Sequence, residues 1–144
     1  LELKIKKLSE NTILPTKAHD TDACFDIYAC IKEPVFIWPG ETRKIPTGFC
    51  TEIPRNYYCA IYARSGMGIN KGLRLANSVG IIDSEYRGEW VIALHNDSDT
   101  RHIINNGDRI AQFIMNNIPF CELIEVEEVQ DSTRGSGGLG SSGK

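Results

Sequence analysis

The residues able to do chemistry crowd into one stretch, "ARSGMGINKGLRLANSVGIIDSEYRGE", from Ala63 to Glu89. Arg64, Ser65 and Gly66 set a guanidinium, a hydroxyl and a small residue at the head of a predicted helical turn, Ser65–Asn70, with Ser65 as its N-cap. Those donors suit a phosphate, although alone they also describe an ordinary capped turn with a solvated arginine. Further on, Val79 to Ile82 is apolar until Asp83, and a turn at Ser84 and Glu85 leads into another strand, which reads as a hairpin. A carboxylate at the end of a buried strand can hold a water and take its proton. Gly80 would let backbone approach a ligand closely, and Tyr86 offers a rigid flat face. Taken singly, Asp83 and Tyr86 also read as a turn aspartate and a core tyrosine.

Three further pieces carry polar groups where they cost most. Asp26 lies inside the apolar run "ACFDIYA", which is expensive unless the carboxylate is bonded or serves a metal. In "GDRIAQ", strand alternation puts Gln112 on a face with Ile110 and Ile114, and Arg109, Ala111, Phe113 and Met115 on the other, so the Gln112 amide needs a partner. The chain ends in "STRGSGGLGSSGK", where glycine backbone, Arg134, Ser141 and Ser142 could wrap phosphates with N–H groups and hydroxyls. Gly-Lys-Ser/Thr is absent, so it is not a Walker A loop.

The elements that must position these residues read as strands. Candidates are Leu3–Leu8, Phe25–Cys30, Glu33–Trp38, Thr42–Phe49, Tyr57–Tyr62, Glu89–His95, Ile103–Ile104, Arg109–Met115 and Glu122–Glu127. Turn signals such as Pro39-Gly40, Pro54-Arg55-Asn56 and Asn105-Asn106-Gly107-Asp108 separate them. Many short strands at this spacing predict an all-β sandwich or barrel, with no long helix. A length of 144 residues suits one domain, with a composition shift near Asp131 dividing a folded part, 1–130, from a glycine-rich tail, 131–144.

Net charge is −3, which gives no global basic field for nucleic acid. No apolar run approaches a membrane span, and "LELKIKKLSE" lacks the apolar core of a signal peptide, though the chain begins without Met. The five cysteines have no Cys-x2-Cys spacing and read as reduced, buried thiols of a cytosolic protein, with a zinc site or a catalytic cysteine as the alternatives. His19, His95 and His102 read as solvated or structural.

In order and spacing the five pieces resemble the five motifs of the trimeric dUTPases: "ACFDIYA", "RSGMG", "NSVGIIDSEYRGE", "GDRIAQ" and "RGSGGLGSSG". They span Ala23 to Gly143, and the Gly-x-Ile-Asp-x-x-Tyr-x-Gly core from Gly80 to Gly88 is intact. The resemblance implies a distorted jelly-roll β-barrel, a homotrimer whose active sites draw on three chains, and a C-terminal arm acting as a phosphate-binding lid. It implies Mg2+-assisted hydrolysis of dUTP to dUMP and pyrophosphate, which limits uracil in DNA and supplies dUMP for dTMP synthesis. By the same similarity Asp83 activates the water that attacks the α-phosphorus. Asn77, Gly80, Ile81, Ile82, Tyr86 and Leu139 would meet the uracil and deoxyribose. Arg64, Ser65, Gly66, Gln112, Arg134, Gly138, Gly140, Ser141 and Ser142 would meet the phosphates, and Asp26 would hold Mg2+ through water.

Expected partners are dUTP and further copies of the chain, without direct nucleic-acid or membrane contact. The expected compartment is the cytoplasm, or the nucleus for a eukaryotic or viral protein. The chain departs from the family pattern at Cys24, where glycine is usual, at Ala63, where proline is common, and at Leu139, where an aromatic is usual. A related dCTP deaminase and a dUTPase-like regulatory protein are the alternatives.

Overall fold

A computed structural model describes residues 1–138. The elements run β1 (Lys4–Lys7), β2 (Phe25–Tyr28), β3 (Val35–Ile37), β4 (Thr42–Pro46), β5 (Phe49–Glu52), β6 (Tyr57–Tyr62), α1 (Ser65–Lys71), β7 (Leu73–Leu75), β8 (Gly80–Ile82), β9 (Val91–Asn96), β10 (His102–Ile104) and β11 (Arg109–Asn117). Every pairing is antiparallel. A four-stranded sheet, β2-β11-β6-β8, and a three-stranded sheet, β4-β9-β7, are flanked by the pairs β1-β5 and β3-β10. This is the all-β architecture that the strand spacing predicts, in the jelly-roll-like form that the resemblance implies.

Alternation builds the core. In β9 the side chains of Ile92, Leu94 and Asn96 turn inward, and in β7 Leu73 and Leu75 do while Arg74 faces out. Ile92, Leu94, Leu73 and Leu75 join Ile27, Ile61 and Phe113 of the other sheet in one buried cluster, each large apolar side chain contributing about 1.5–3 kcal/mol. Trp90 sits at its centre, fully buried, 5.1 Å edge-on from Phe113 and 5.2 Å from Phe49, with Phe25 stacked 5.3 Å beyond Phe113. Its indole N–H donates to Thr51 Oγ1 at 3.1 Å, and Thr47 Oγ1 donates to the Trp90 carbonyl at 2.7 Å. Buried Asn96 donates to the carbonyls of Ile37 and Thr100 and accepts from Ser98, fastening the loop before β10. Among the described residues no buried side-chain nitrogen or oxygen lacks a partner, as burial of polar groups requires.

Several local expectations need correction. The cap of α1 is Arg64 in extended conformation, and no side chain bonds the cap; Ser65 is the first helical residue. The strand expected at Glu122–Glu127 is absent: the chain there is non-strand, and Leu123, Ile124, Val126 and Val129 are exposed, with no neighbouring strand to pair with. The run 42–49 divides into β4 and β5, and β7 was not expected. The strands around Asp83 do not form a hairpin, because β8 pairs with β6 whereas β9 belongs to the other sheet.

The alternation expected in β11 is broken as well. Arg109 faces Tyr28 and Gln112 faces Asp26, with the register shifting between Arg109 and Ala111. Asp26 and Tyr28 share a face of β2, so this bulge carries Arg109 over to the Gln112 side and turns Ile110 into the core.

Candidate active site

One group of polar residues gathers where β2, β11 and the end of β6 meet. Asp26, with a side chain only 15% exposed, accepts from Arg64 Nε at 2.7 Å through one oxygen and from Arg109 Nη1 at 3.2 Å through the other. The cost of placing a carboxylate in this strand is thereby met by two cations. Gln112, opposite Asp26, donates from Nε2 to the Ala63 carbonyl at 3.1 Å, tying β11 to the segment that presents Arg64. Ser65 and Gly66 are exposed at the head of α1, and nothing lies within 4 Å of where a Gly66 side chain would start. A pocket of about 430 Å3 opens beside the arginines, lined also by Asn70, Lys71, His102 and Asp108. Arg109 is the member that sequence reading missed. The motif "GDRIAQ" is legible in the sequence, but only the bulge turns the Arg109 side chain to Asp26.

A second group forms around the turn after β8. Ile81, Ile82, Asp83, Tyr86, Glu89 and Val91 line a pocket of about 200 Å3. Asp83 directly follows β8, at the strand end that the sequence suggests; of that strand only Gly80 is fully buried, and Asp83 is exposed. Its carbonyl accepts the Tyr86 N–H at 3.1 Å, closing the turn, and Arg87 Nη1 donates to the Ser84 and Tyr86 carbonyls at 2.6 and 3.1 Å. Gly80 is buried, and a Cβ added there would lie 3.2 Å from the Ile61 side chain and 3.6 Å from the Asn77 amide. Asn77 itself is exposed. Ser78 holds φ at +61°, a left-handed conformation that costs a non-glycine residue on the order of 1–3 kcal/mol. β8 is an edge of its sheet, so its outer backbone groups face away from β6.

The two groups lie at opposite ends of β6. Register places Cys59 opposite Ile82, so Asp83 lies beside Tyr58, whereas Arg64 follows the far end of the same strand. Six extended residues separate those ends by about 20 Å. One copy of the chain therefore does not bring Asp83 to Arg64, Gln112 or Asp26.

In the tail, Arg134 Nε donates to the Gly137 carbonyl at 2.8 Å in a turn that also bonds Gly135 to Ser132. Gly138 is exposed with open space around it. Leu139, Gly140, Ser141 and Ser142 lie outside the described residues.

All five cysteines are free; only Cys59 is buried, and burial pushes its thiol up to about 12, whereas Cys121 is exposed. His95 is held by Thr42 Oγ1 at 2.8 Å and His102 by Ser98 Oγ at 3.0 Å. Among the described residues no three His, Cys, Asp or Glu side chains converge as a metal cage, and no helix is long and apolar enough to cross a membrane.

Guanidinium groups match phosphate oxygens and a carboxylate on an exposed turn can serve as base, so a jelly-roll-like chain with these two groups suits the class of phosphate-handling enzymes. Comparison with known proteins narrows it. Residues 10–143 match the dUTPase family pattern. The deoxyuridine 5'-triphosphate nucleotidohydrolase of Nautilia profundicola is 41% identical over 144 residues, covering 100% of both chains. That of Clostridioides difficile is 40% identical, covering 98% of this chain and 97% of its own. In structure, a point mutant of the Staphylococcus bacteriophage 80alpha dUTPase with dUpNHpp superposes with a TM-score of 0.86 at 32% identity, covering 99% of each chain. A phage phi11 dUTPase mutant, whose structure reveals how a structural Mg(II) ion is coordinated, superposes with a TM-score of 0.81 at 28% identity, covering 91% of this chain and 100% of its own. The chain belongs to the dUTPase family. It is an enzyme of the dUTP diphosphatase class, and its reaction is the hydrolysis of dUTP to dUMP and pyrophosphate.

Proposed function

We propose that the hydrolysis is carried out in active sites shared between copies of the chain, with the Asp83 end of one protomer facing the Arg64 end of another. The separation of those ends along β6 carries this reading, because the base and the phosphate ligands are both needed at one phosphorus. Exposed Leu123, Ile124, Val126 and Val129 support self-association, since a run of unpaired apolar side chains favours a covering surface. A homotrimer with a closed ring of such contacts satisfies both observations.

Within such a site Asp83 accepts a proton from the attacking water, positioned in line with the α-phosphorus. Arg64, Arg109 and Gln112 hold phosphate oxygens, with Ser65 and Gly66 beside them. The outer backbone of β8 at Ile81 and Ile82, with the Asn77 amide, reads the uracil edge. Cytosine presents a donor where uracil presents an acceptor, so a fixed backbone donor would be left unpaired. The Tyr86 ring lies where a 2′-hydroxyl would have to go. Arg134, Gly138, Gly140, Ser141 and Ser142 close over the phosphates, with Leu139 covering the base, and closure excludes water.

Mg2+ fits this site as an ion carried by the triphosphate. Both Asp26 oxygens already accept guanidinium N–H groups, which leaves the carboxylate able to reach a cation through water and poorly suited to bind it directly. Mg2+ keeps several waters and commonly binds through substrate phosphates with one or two carboxylates. When bound, it neutralises charge on the phosphates.

The test is complementation. Asp83→Asn and Arg64→Ala protomers, each nearly inactive alone, are mixed under conditions that exchange subunits. A site drawing its two ends from independent protomers is intact about one time in four in an equal mixture. Recovery near that fraction of wild-type pyrophosphate release is expected. No recovery in assemblies shown by mass spectrometry to be mixed would contradict the shared site. Assay of the wild type against dUTP, dTTP, dCTP and UTP tests the base and sugar reading.

A further inference from the structure

We propose that Gly88 is a positioning residue for sugar selection: by carrying no side chain it lets the Tyr86 ring fold back over its own turn and keeps it in one attitude. The inference rests on the reading of Tyr86 as the residue that faces the deoxyribose.

The half-exposed Tyr86 is tied at the tip of its ring and at its backbone. Its hydroxyl donates to the Glu89 carbonyl at 3.0 Å, and its backbone N–H donates to the Asp83 carbonyl at 3.1 Å. Beneath it lies Gly88, where a Cβ would run into the Tyr86 hydroxyl oxygen and come within 2.6 Å of Cζ and 3.0 Å of Cε2. Backbone conformation does not require glycine here: among the described residues, the glycines with positive φ are Gly40, Gly48, Gly72, Gly107 and Gly135. Positive φ therefore does not demand glycine at position 88, and the three atoms nearest to an added Cβ all belong to the Tyr86 side chain.

The floor under the ring is anchored to the core. The Glu89 carboxylate accepts the Gly48 N–H at 2.7 Å, and the Trp90 N–H donates to the Phe49 carbonyl at 3.0 Å. Trp90 is fully buried, so the carbonyl that receives the tyrosine hydroxyl is fixed relative to both sheets. A ring held this way presents a constant wall to the sugar, whereas a displaced ring opens space beside it. A side chain at position 88 would push the ring tip aside, and the tenfold loss of discrimination expected from that displacement corresponds to about 1.4 kcal/mol.

The experiment is a double-mutant cycle on the ratio of kcat/KM for dUTP to that for UTP. It uses the wild type, Gly88→Ala, Tyr86→Ala and the double variant. Gly88→Ala should lower the ratio about tenfold, and should change it less than twofold when Tyr86 is already alanine. If Tyr86→Ala collapses the ratio while Gly88→Ala leaves it unchanged, the Gly88 proposal is wrong and the Tyr86 reading stands. If Tyr86→Ala leaves the ratio unchanged, the Tyr86 reading itself has failed. An equal effect of Gly88→Ala in both backgrounds makes Gly88 a backbone requirement, which overturns the proposal. Should Gly88→Ala fail to fold, folding restored in the double variant supports the clash, and a double variant equally unfolded overturns it.

Discussion

The two ends of β6 are built by different means. At the Arg64 end, Asp26 is joined to residues 38 and 83 positions away, and a bulge in β11 decides which side chains face it. At the Asp83 end, the working residues lie within one short loop that bonds mainly to itself, from the Asp83 carbonyl to the Glu89 carbonyl. The first end depends on the register of a whole sheet and the second on a local turn. A change at the Arg64 end should therefore act on every nucleoside triphosphate alike, whereas a change at the Asp83 end should act on chemistry or on discrimination.

The largest expected effect breaks the Asp83 end outright. Asp83→Asn keeps the shape of the turn but cannot take a proton, so turnover should fall by ~10²–10⁴ while dUTP still binds. Single-turnover pyrophosphate release and equilibrium binding on the same preparation separate the two. More than a tenth of the wild-type rate would remove Asp83 from its role.

Loss of the tail comes next. A chain stopped at Gln130 should keep its fold and oligomeric state, since the residues beyond have too few apolar side chains to join the core. Hydrolysis should drop steeply with loss of the lid. Sedimentation alongside turnover checks both. Full activity would leave the tail without a part in the reaction and the two ends of β6 sufficient by themselves.

Arg109→Gln sharpens the contrast. It removes one of the two cations on Asp26 and a phosphate donor, and a hydrogen bond to a charged group contributes about 1.5–3 kcal/mol. Half-exposure of the Arg109 side chain argues for the low end. KM for dUTP and UTP should rise together by roughly tenfold, with their ratio unchanged. A shift in the ratio would show that the two ends are not separable in function.

The same difference explains what could be read from the sequence. Gly80, Asp83, Tyr86 and Gly88 are close in the chain, so spacing alone brings them together as a motif. Arg109 was missed because perfect alternation assigns it to the wrong face, and a one-residue bulge has no separate signature in "GDRIAQ". The hairpin expectation failed for a related reason. A turn signal shows where the chain reverses, but not whether the next strand pairs with the last one or crosses to another sheet. Likewise the β-rich run at Glu122–Glu127 has the composition of a strand but no strand beside it, and pairing, not propensity, makes a strand.

The smallest expected effect concerns Leu139, a tail residue that meets the base end of the substrate in the proposed closed site. The family resemblance calls for an aromatic here, and leucine can cover uracil but has no π-face to stack. Base–aromatic stacking contributes ~1–3 kcal/mol per base by alanine substitution. Leucine retains the apolar contact, so its deficit should be on the order of 1 kcal/mol, less than tenfold in rate. Leu139→Phe should accordingly raise kcat/KM for dUTP modestly, and Leu139→Gly should lower it. Both should leave the dUTP-to-UTP ratio nearly unchanged, because the sugar is judged at Tyr86 and not at the tail. Steady-state kinetics on the two variants decides the point. If phenylalanine lowers activity as much as glycine does, the position over the base is already filled by another side chain, and stacking from the tail is not how this enzyme holds uracil.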